Sequence, residues 1–391
     1  MANRFSSIFA QILHLFSKRE FFETVYETRA ERGAKGFSCW DQFVAMLFCQ
    51  LGQAHSLREI CGGLASCFGK AKHLGLQGAP KKSTLSYANE HRPWQLYEKI
   101  FYQLLHKCQG QLELGKRRFR FKNKLFSLDA TVIELCASLF DWAKFRQTKG
   151  AVKLHLLLDH DGYLPVFANI TNGKVHEVKV AQKMTFPAGS ILAIDKGYTD
   201  FELFWDWTQA GVFFVTRQKD NAHYRIVENR PVPRNRNILS DQIIALEGFY
   251  SQKKYPGQLR RLEVWDEQNE RRIVLLTNHL AFGATTIAAT YKDRWQIEIF
   301  FKTIKQNLRI KTFVGTSANA LMIQIWTALI AILVLKYLKF KASYNWSLSN
   351  LVALLRYNLF TYRDLWTWIN QPHEPPPMVS MAEQLSLNWT A

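Results

Sequence analysis

Apolar residues recur near a 3.6-residue period through the first 110 positions and then near a period of two, so the chain is expected to change from helix to mixed helix and strand. The early pattern predicts helices over 5–16, 21–29, 38–51 and 94–108. Ser56 with Glu59 three residues on resembles a capping box and opens a short helix. Ser83 is expected to cap a second one, reaching about Glu90. From 125 the alternation predicts strands over 125–133, 153–159, 164–170 and 191–194, a helix over 201–208 and a strand over 212–217. Further strands are expected over 224–227, 248–254, 259–265 and 272–277, interrupted by Pro, Asn and Gly. A long amphipathic helix near 291–308, a buried helix over 320–338 and a helix over 347–358 follow, and a proline-rich stretch from Pro372 to Pro377 starts a loose tail.

This order predicts an α/β fold with a β-rich insertion, preceded by an all-helical domain. The expected boundaries are 1–112 for the helical domain, 113–218 with 281–345 for the α/β domain, 219–280 for the insertion, and 346–391 for a C-terminal helical region and tail.

The helix near 291–308 carries the most informative polar pattern. Tyr291, Arg294, Glu298 and Lys305 stand at offsets 0, 3, 7 and 14, which on one continuous helix would share a ~60° arc. Ile297, Phe300, Phe301, Ile304 and Leu308 fill the neighbouring arc as a core-facing stripe. One face therefore presents a carboxylate beside two cations and a phenol, a set suited to a metal ion next to phosphate.

Two strand-borne acids enlarge that set. Asp129 lies in the apolar run Leu125 to Thr131, and Asp195 follows Ile191 to Ile194, with Gly197 available for a tight turn. Chemistry in open α/β sheets gathers at the carboxyl ends of strands. Three carboxylates brought together repel one another, and hard divalent cations relieve that repulsion. Each acid alone also reads as an ordinary cap, turn former or surface group; the combination gives them weight.

Composition points to a polyanionic partner. The chain has 51 Lys and Arg against 32 Asp and Glu, a formal charge of +19, which favours nucleic acid over a membrane surface. Lys81, Lys82 and Arg92 flank or belong to the second short helix and suit a DNA groove, although short helix pairs also serve ordinary bundles. Arg118, Arg120 and Lys122 alternate with Phe119 and Phe121, so a strand here would bury the rings and present a cationic row to phosphate. The six cysteines form no C-x-x-C pair and no signal-peptide pattern precedes them, so reduced thiols, no zinc and a cytoplasmic, nucleoid-associated location are expected. The apolar run 320–335 contains Gln324 and falls short of the ~20 residues a bilayer needs, so no membrane association is expected.

At Tyr291-Lys-Asp-Arg294-Trp-Gln-Ile-Glu298, followed after six residues by Lys305, the chain resembles family four of the bacterial insertion-sequence DDE transposases, whose motif is Y-x2-R-x3-E-x6-K. Asp195-Lys196-Gly197-Tyr198 matches the family's D-x-G-Y block, and Leu128-Asp129-Ala130-Thr131 resembles the block around the first acid. The likeness covers about residues 120–340. It implies a ribonuclease-H-like catalytic domain and two Mg²⁺ ions, with Mn²⁺ as a substitute, held by Asp129, Asp195 and Glu298. Tyr291, Arg294 and Lys305 would then hold phosphates or the DNA terminus. Family members act as homodimers on paired transposon ends of double-stranded DNA, cut them and join them to target DNA, often through a hairpin. Several stack a flipped base on an aromatic of the insertion; Trp265 is one candidate, and a core role is the other reading. Lys153, His155, His176 and Arg217 lie near the active strands, where each reads either as a DNA contact or as a structural residue. Two rivals remain: a ribonuclease-H-like nuclease without strand transfer, and a domesticated DNA-binding protein that has kept the fold.

Overall fold

The computed structural model describes residues 6–374 except 68, 70–71, 113–117, 137–143, 147–148, 221, 235, 309 and 311–312. The head of the basic run, Lys116 and Arg117, and most of the expected tail lie outside the described residues. The chain forms two compact units, Met1–Leu104 with Asn307–Ala391, and Leu105–Gln306.

The first unit is helical. Ile8–Leu13, Lys18–Glu27, Cys39–Leu51, Leu57–Ser66 and Lys82–His91 are joined by Ala318–Lys341, Leu348–Asn358 and Leu365–Asn370 from the last third of the chain. Serine caps set several starts: Ser38 and Asp41 make a reciprocal capping box, and Ser56 accepts from the Glu59 N–H. The second short helix begins two residues earlier than its serine suggested. Lys81 is its N-cap, without a side-chain bond, and Ser83 lies inside the helix.

The apolar helix is longer than its 16-residue run predicted. Ala318–Lys341 has 24 residues, enough in length and composition to cross a membrane, but 83% of its most apolar window is buried inside the protein. It packs on Cys39–Leu51, all of whose residues are buried, and Trp326 stacks on Trp94 with ring centroids 6.4 Å apart. Gln324 is tolerated because its side-chain oxygen accepts from the Val314 N–H at 2.9 Å. The residues expected as one stretch over 281–345 thus divide at Asn307, and this core helix belongs to the helical unit.

The second unit is built on a sheet in which ten strands are described: β1 Leu125–Cys136, β2 Lys144–Arg146, β3 Lys149–Asp159, β4 Leu164–Asn172, β5 Ile191–Ile194, β6 Phe213–Arg217, β7 Tyr224–Asn229, β8 Ile238–Leu246, β9 Gln258–Asp266 and β10 Arg271–Thr277. Their order is β2-β3-β1-β5-β6-β10-β9-β8-β7, with β4 also paired to β3. β1 is antiparallel to β3 and parallel to β5, and β5 is parallel to β6. This is the mixed α/β layer expected of the catalytic domain. The 219–280 insertion does not stand apart from it: β10 pairs with β6, so β7 to β10 continue the same sheet.

Period-two alternation gives each sheet face its own core. Phe126, Leu128, Leu192 and Ile194 pack with Leu203, Phe204 and Trp207 of the helix Phe201–Gln209. Leu125, Ile191 and Ala193 face the other way and pack with Ile287 and Tyr291 of the helix Ala284–Asp293.

Two local expectations fail, and one strand goes unread, for identifiable reasons. Residues expected as a strand over 248–254 form the helix Phe249–Lys254, whose adjacent rings Phe249 and Tyr250 are both 78% exposed and leave no face to alternate. The run 118–124 forms bends rather than a strand, although Phe119 and Phe121 do turn inward and stack at 5.0 Å. β8 was hidden by the polar Ser240-Asp241-Gln242 in its middle. Asp241 is buried there because Arg260 of β9 meets it with two bonds, at 2.8 and 2.6 Å, and donates also to the Leu280 and Phe282 carbonyls.

Both members of that pair are almost fully covered, with side chains 2% and 3% exposed. Asp241→Ala would leave the guanidinium buried without its carboxylate, so a loss of about 3–5 kcal/mol in unfolding free energy is expected by urea titration. A loss below ~1 kcal/mol, the size of a surface pair, would contradict this account.

Candidate active site

Asp129 and Asp195 reach the same place because two neighbouring strands are in register. Leu128 pairs with Ile194 in the parallel β1·β5 ladder, so each aspartate is the next residue on its own strand. Both fall on the sheet face that carries Leu125, Ser127, Ile191 and Ala193, which is the face covered by Ala284–Asp293. Asp195 caps the short turn Lys196–Tyr198 and accepts from the Gly197 N–H at 3.4 Å. Gly197 does not use a left-handed backbone there.

Glu298 arrives from the helical side, but not on one continuous helix. Ala284–Asp293 ends at Asp293, Arg294 is its C-cap, and a second helix runs Trp295–Asn307. Tyr291 therefore belongs to the last turn of one helix, Glu298 and Lys305 to the next, and Arg294 to the joint. Its guanidinium is fixed between the acids: one amino group donates to Asp129 at 3.1 Å and the other to Glu298 at 2.5 Å. The Tyr291 ring lies 5.5 Å from the same guanidinium. Lys305 donates instead to the main-chain oxygen of Val132 on β1, at 2.9 Å.

Burial is the main cause that pushes the Asp129 carboxyl up, to about 6; the Asp195 and Glu298 charges add to it, while Arg294 and the Ala130 N–H oppose it. Three further polar atoms here are buried without a hydrogen-bond partner: the hydroxyls of Tyr198 and Tyr291 and Nε of Arg294. Burial raises both phenols, and each also feels the Asp195 charge. Orphaned donors beside clustered carboxylates are what a polar ligand would complete. Among the described residues, no three His, Cys, Asp or Glu already stand close enough to form an ion cage.

The other predicted positions separate. Lys81 and Lys82 are exposed at the start of Lys82–His91, beside the exposed Tyr87, whose ring stacks on His91 at 3.9 Å. Arg92 is engaged inside the helical unit, donating to the main-chain oxygens of Phe37 and Ser38 and to Gln42. Arg118 is half exposed and pairs with Asp293, while Arg120 and Lys122 are exposed. Lys153 binds Glu177 at 2.8 Å and the Val175 oxygen at 2.9 Å. His155 is fully buried against Thr171, and burial lowers its imidazole to about 4. His176 is the exposed N-cap of Glu177–Ala181, Arg217 ends β6 near Tyr291, and Trp265 on β9 is 37% exposed. Sequence reasoning missed Asp293, His160, Ser127 and Tyr163, which are bonded together directly behind Arg294; only the position of Asp293 inside the Tyr291–Glu298 motif could have signalled them.

Residues 120–334 match the family described as transposase DDE domain, which is more than half of the chain, and the chain belongs to that family of catalytic transposases. Its relatives place it among the transposases of insertion sequence elements. It is 32% identical to y4zB of Sinorhizobium fredii, named as a transposase, over 66% of this chain and 71% of the other. It is 29% identical to the transposase named for element IS5377 of Geobacillus stearothermophilus, over 72% and 74%. With the transposase named for element IS4SA of Synechocystis it shares 25% identity over 68% and 75%, in keeping with family four. Residues 4–77 match a second family, described as a domain of unknown function (DUF4372).

The raised Asp129 carboxyl has a consequence for stability. An unfolded aspartate titrates near ~4 and the folded one at about 6, so the folded state favours the proton. The resulting stabilisation is present in full below pH ~4 and is lost as pH rises through about 6. In chelator-treated protein this amounts to about 3 kcal/mol. Asp129→Asn should flatten the decline in unfolding free energy across that range; an unchanged pH slope would show that Asp129 is not the group responsible.

Proposed function

We propose that this transposase binds the ends of its insertion element, cleaves them and joins them to target DNA by metal-dependent phosphoryl transfer. The observation that carries the reading is the Arg294 fork on Asp129 and Glu298, with Asp195 and Asp129 each one residue past the paired Ile194 and Leu128. The matching motif residues, far apart in sequence, thus lie within electrostatic reach of one another. The donor set fits a hard divalent cation: all three groups offer carboxylate oxygen, and burial with two acidic neighbours disfavours the ionised Asp129 that a cation would compensate. Asp129, Asp195 and Glu298 would hold Mg²⁺, or Mn²⁺ in its place, in a pair of sites. When bound, such ions activate an attacking water or 3′-hydroxyl and stabilise the leaving oxygen.

The chain's own residues supply the rest. Arg294 orients both acids and carries the positive charge nearest the scissile phosphate. The orphaned Tyr291 hydroxyl is a donor for a phosphate oxygen or bound water. Lys305 extends the cationic line along β1, and Lys81, Lys82, Arg120 and Lys122 are the proposed DNA-facing cations elsewhere. Arg92 and Arg118, engaged within the protein, are assigned to positioning. A homodimer holding two ends in a paired complex completes the proposal, by likeness to the family.

Labelled element ends with Mg²⁺ test it directly. Asp129→Ala, Asp195→Ala and Glu298→Ala should each lower cleavage by at least ~100-fold; undiminished cleavage would overturn the site. Joined products formed without an added energy source distinguish transposition from simple nuclease action, which yields cut ends alone. Affinity for the ends should fall steeply with salt, with a log–log slope near −0.9 for each phosphate neutralised, and each of Lys81→Ala and Lys82→Ala should make that slope shallower. A flat salt response would remove the basic residues from the interface.

A further inference from the structure

The residue before Arg294 is a buried acid with three side-chain partners. Asp293 has a side chain with 0% exposure, yet it receives His160 Nδ1 at 2.6 Å, the Tyr163 hydroxyl at 3.2 Å and the Arg118 guanidinium. A carboxylate only accepts, so His160 donates from Nδ1 and its Nε2 meets the Ser127 hydroxyl at 2.7 Å. Ser127 is fully buried and stands two residues before Asp129, on the same face of β1.

These bonds close a ring. It runs from Ser127 through His160 to Asp293, across one peptide to Arg294, and from its guanidinium back to Asp129 on the strand where it began. The turn that delivers His160 and Tyr163 is itself pinned and strained. The His160 N–H bonds the Leu125 oxygen at 3.0 Å, and Gly162 and Tyr163 both have positive φ, +85° and +53°. A tyrosine in that conformation costs ~1 kcal/mol, and here it is the conformation that holds the hydroxyl on Asp293. The Ser–His–Asp sequence of bonds also resembles a hydrolytic triad, but Ser127 has no exposed surface through which a substrate could be attacked.

We propose that Ser127, His160, Tyr163 and Asp293 form a clamp, buried except at the half-buried Tyr163, that positions the Arg294 joint over Asp129. The inference rests on the reading of Asp129, Arg294 and Glu298 as the active site. The four are positioning residues: they act by fixing the direction of one guanidinium, and none of them meets DNA.

A double-mutant cycle on the full chain, bound to its labelled element ends with Mg²⁺, tests the clamp by single-turnover cleavage. His160→Ala and Asp293→Asn should each slow cleavage by ~10–100-fold, the loss that a ~1 Å misplacement brings, while DNA affinity changes by no more than about twofold. In an Arg294→Lys background, which keeps the charge and loses the fork, the same changes should cost little more. His160→Asn, which restores a short N–H donor towards Asp293, should recover part of the rate. Costs that multiply in full across the two backgrounds would overturn the clamp and leave the network a merely structural one. If His160→Ala does not fold by circular dichroism, Tyr163→Phe removes a single oxygen and carries the same test as a few-fold effect. Asp129→Ala separates the two claims. Normal cleavage by that variant refutes the active-site reading, whereas an inactive Asp129→Ala beside fully active clamp variants refutes the clamp alone.

Discussion

The catalytic unit depends on compensating one buried negative charge. Asp129 sits inside a strand, where desolvation disfavours its ionised form, and two more acids stand within reach of it. Taking such charges out of water is costly unless a cation with fixed geometry is brought to them. Arg294 meets that requirement because its planar fork spans two carboxylates, which the single ammonium of a lysine cannot do. The break between two helices at this residue follows from the same demand. A guanidinium at the joint can reach the sheet while Glu298, four residues later, leans back towards it.

Everything around the fork serves to place it. The parallel register of β1 and β5 puts two aspartates side by side, and the alternation of side chains sends both to the face that the Tyr291 helix covers. Core residues on the opposite face, Leu128, Ile194 and Phe204 among them, hold those strands flat against a second helix. Sheet packing, helix breakage and acid placement are therefore linked: a one-residue slip in β1 would turn Asp129 into the opposite core and present Leu128 to the site.

Much of this could be read from residue order alone. The acids, the mixed layer and the helical beginning were visible because periodicity and motif spacing are local properties. What escaped has a common physical cause, that partners distant in sequence decided the outcome. Asp241 disguised β8 as a loop until Arg260 was seen to neutralise it. Helical spacing suggested one helix through Tyr291, Arg294, Glu298 and Lys305, and the bonds that Asp293 accepts from His160 and Tyr163 mark the joint behind it. Arg92 looked like a groove contact until the carbonyls of Phe37 and Ser38 were found to hold it.

The helix Ala318–Lys341 has a bearing on the order in which this protein is made. It forms the centre of a unit whose N-terminal helices, through His91, were synthesised more than two hundred residues earlier. On a ribosome that emits the chain from its N-terminus, those first helices emerge without the apolar partner that Trp94 and Cys39–Leu51 require. The catalytic sheet can be completed while they wait. A polypeptide that stops before residue 318 carries Asp129, Asp195 and Glu298 but no finished N-terminal bundle. Assembly of that bundle is thereby tied to near-completion of translation, and an interrupted copy is left with an unmated apolar surface.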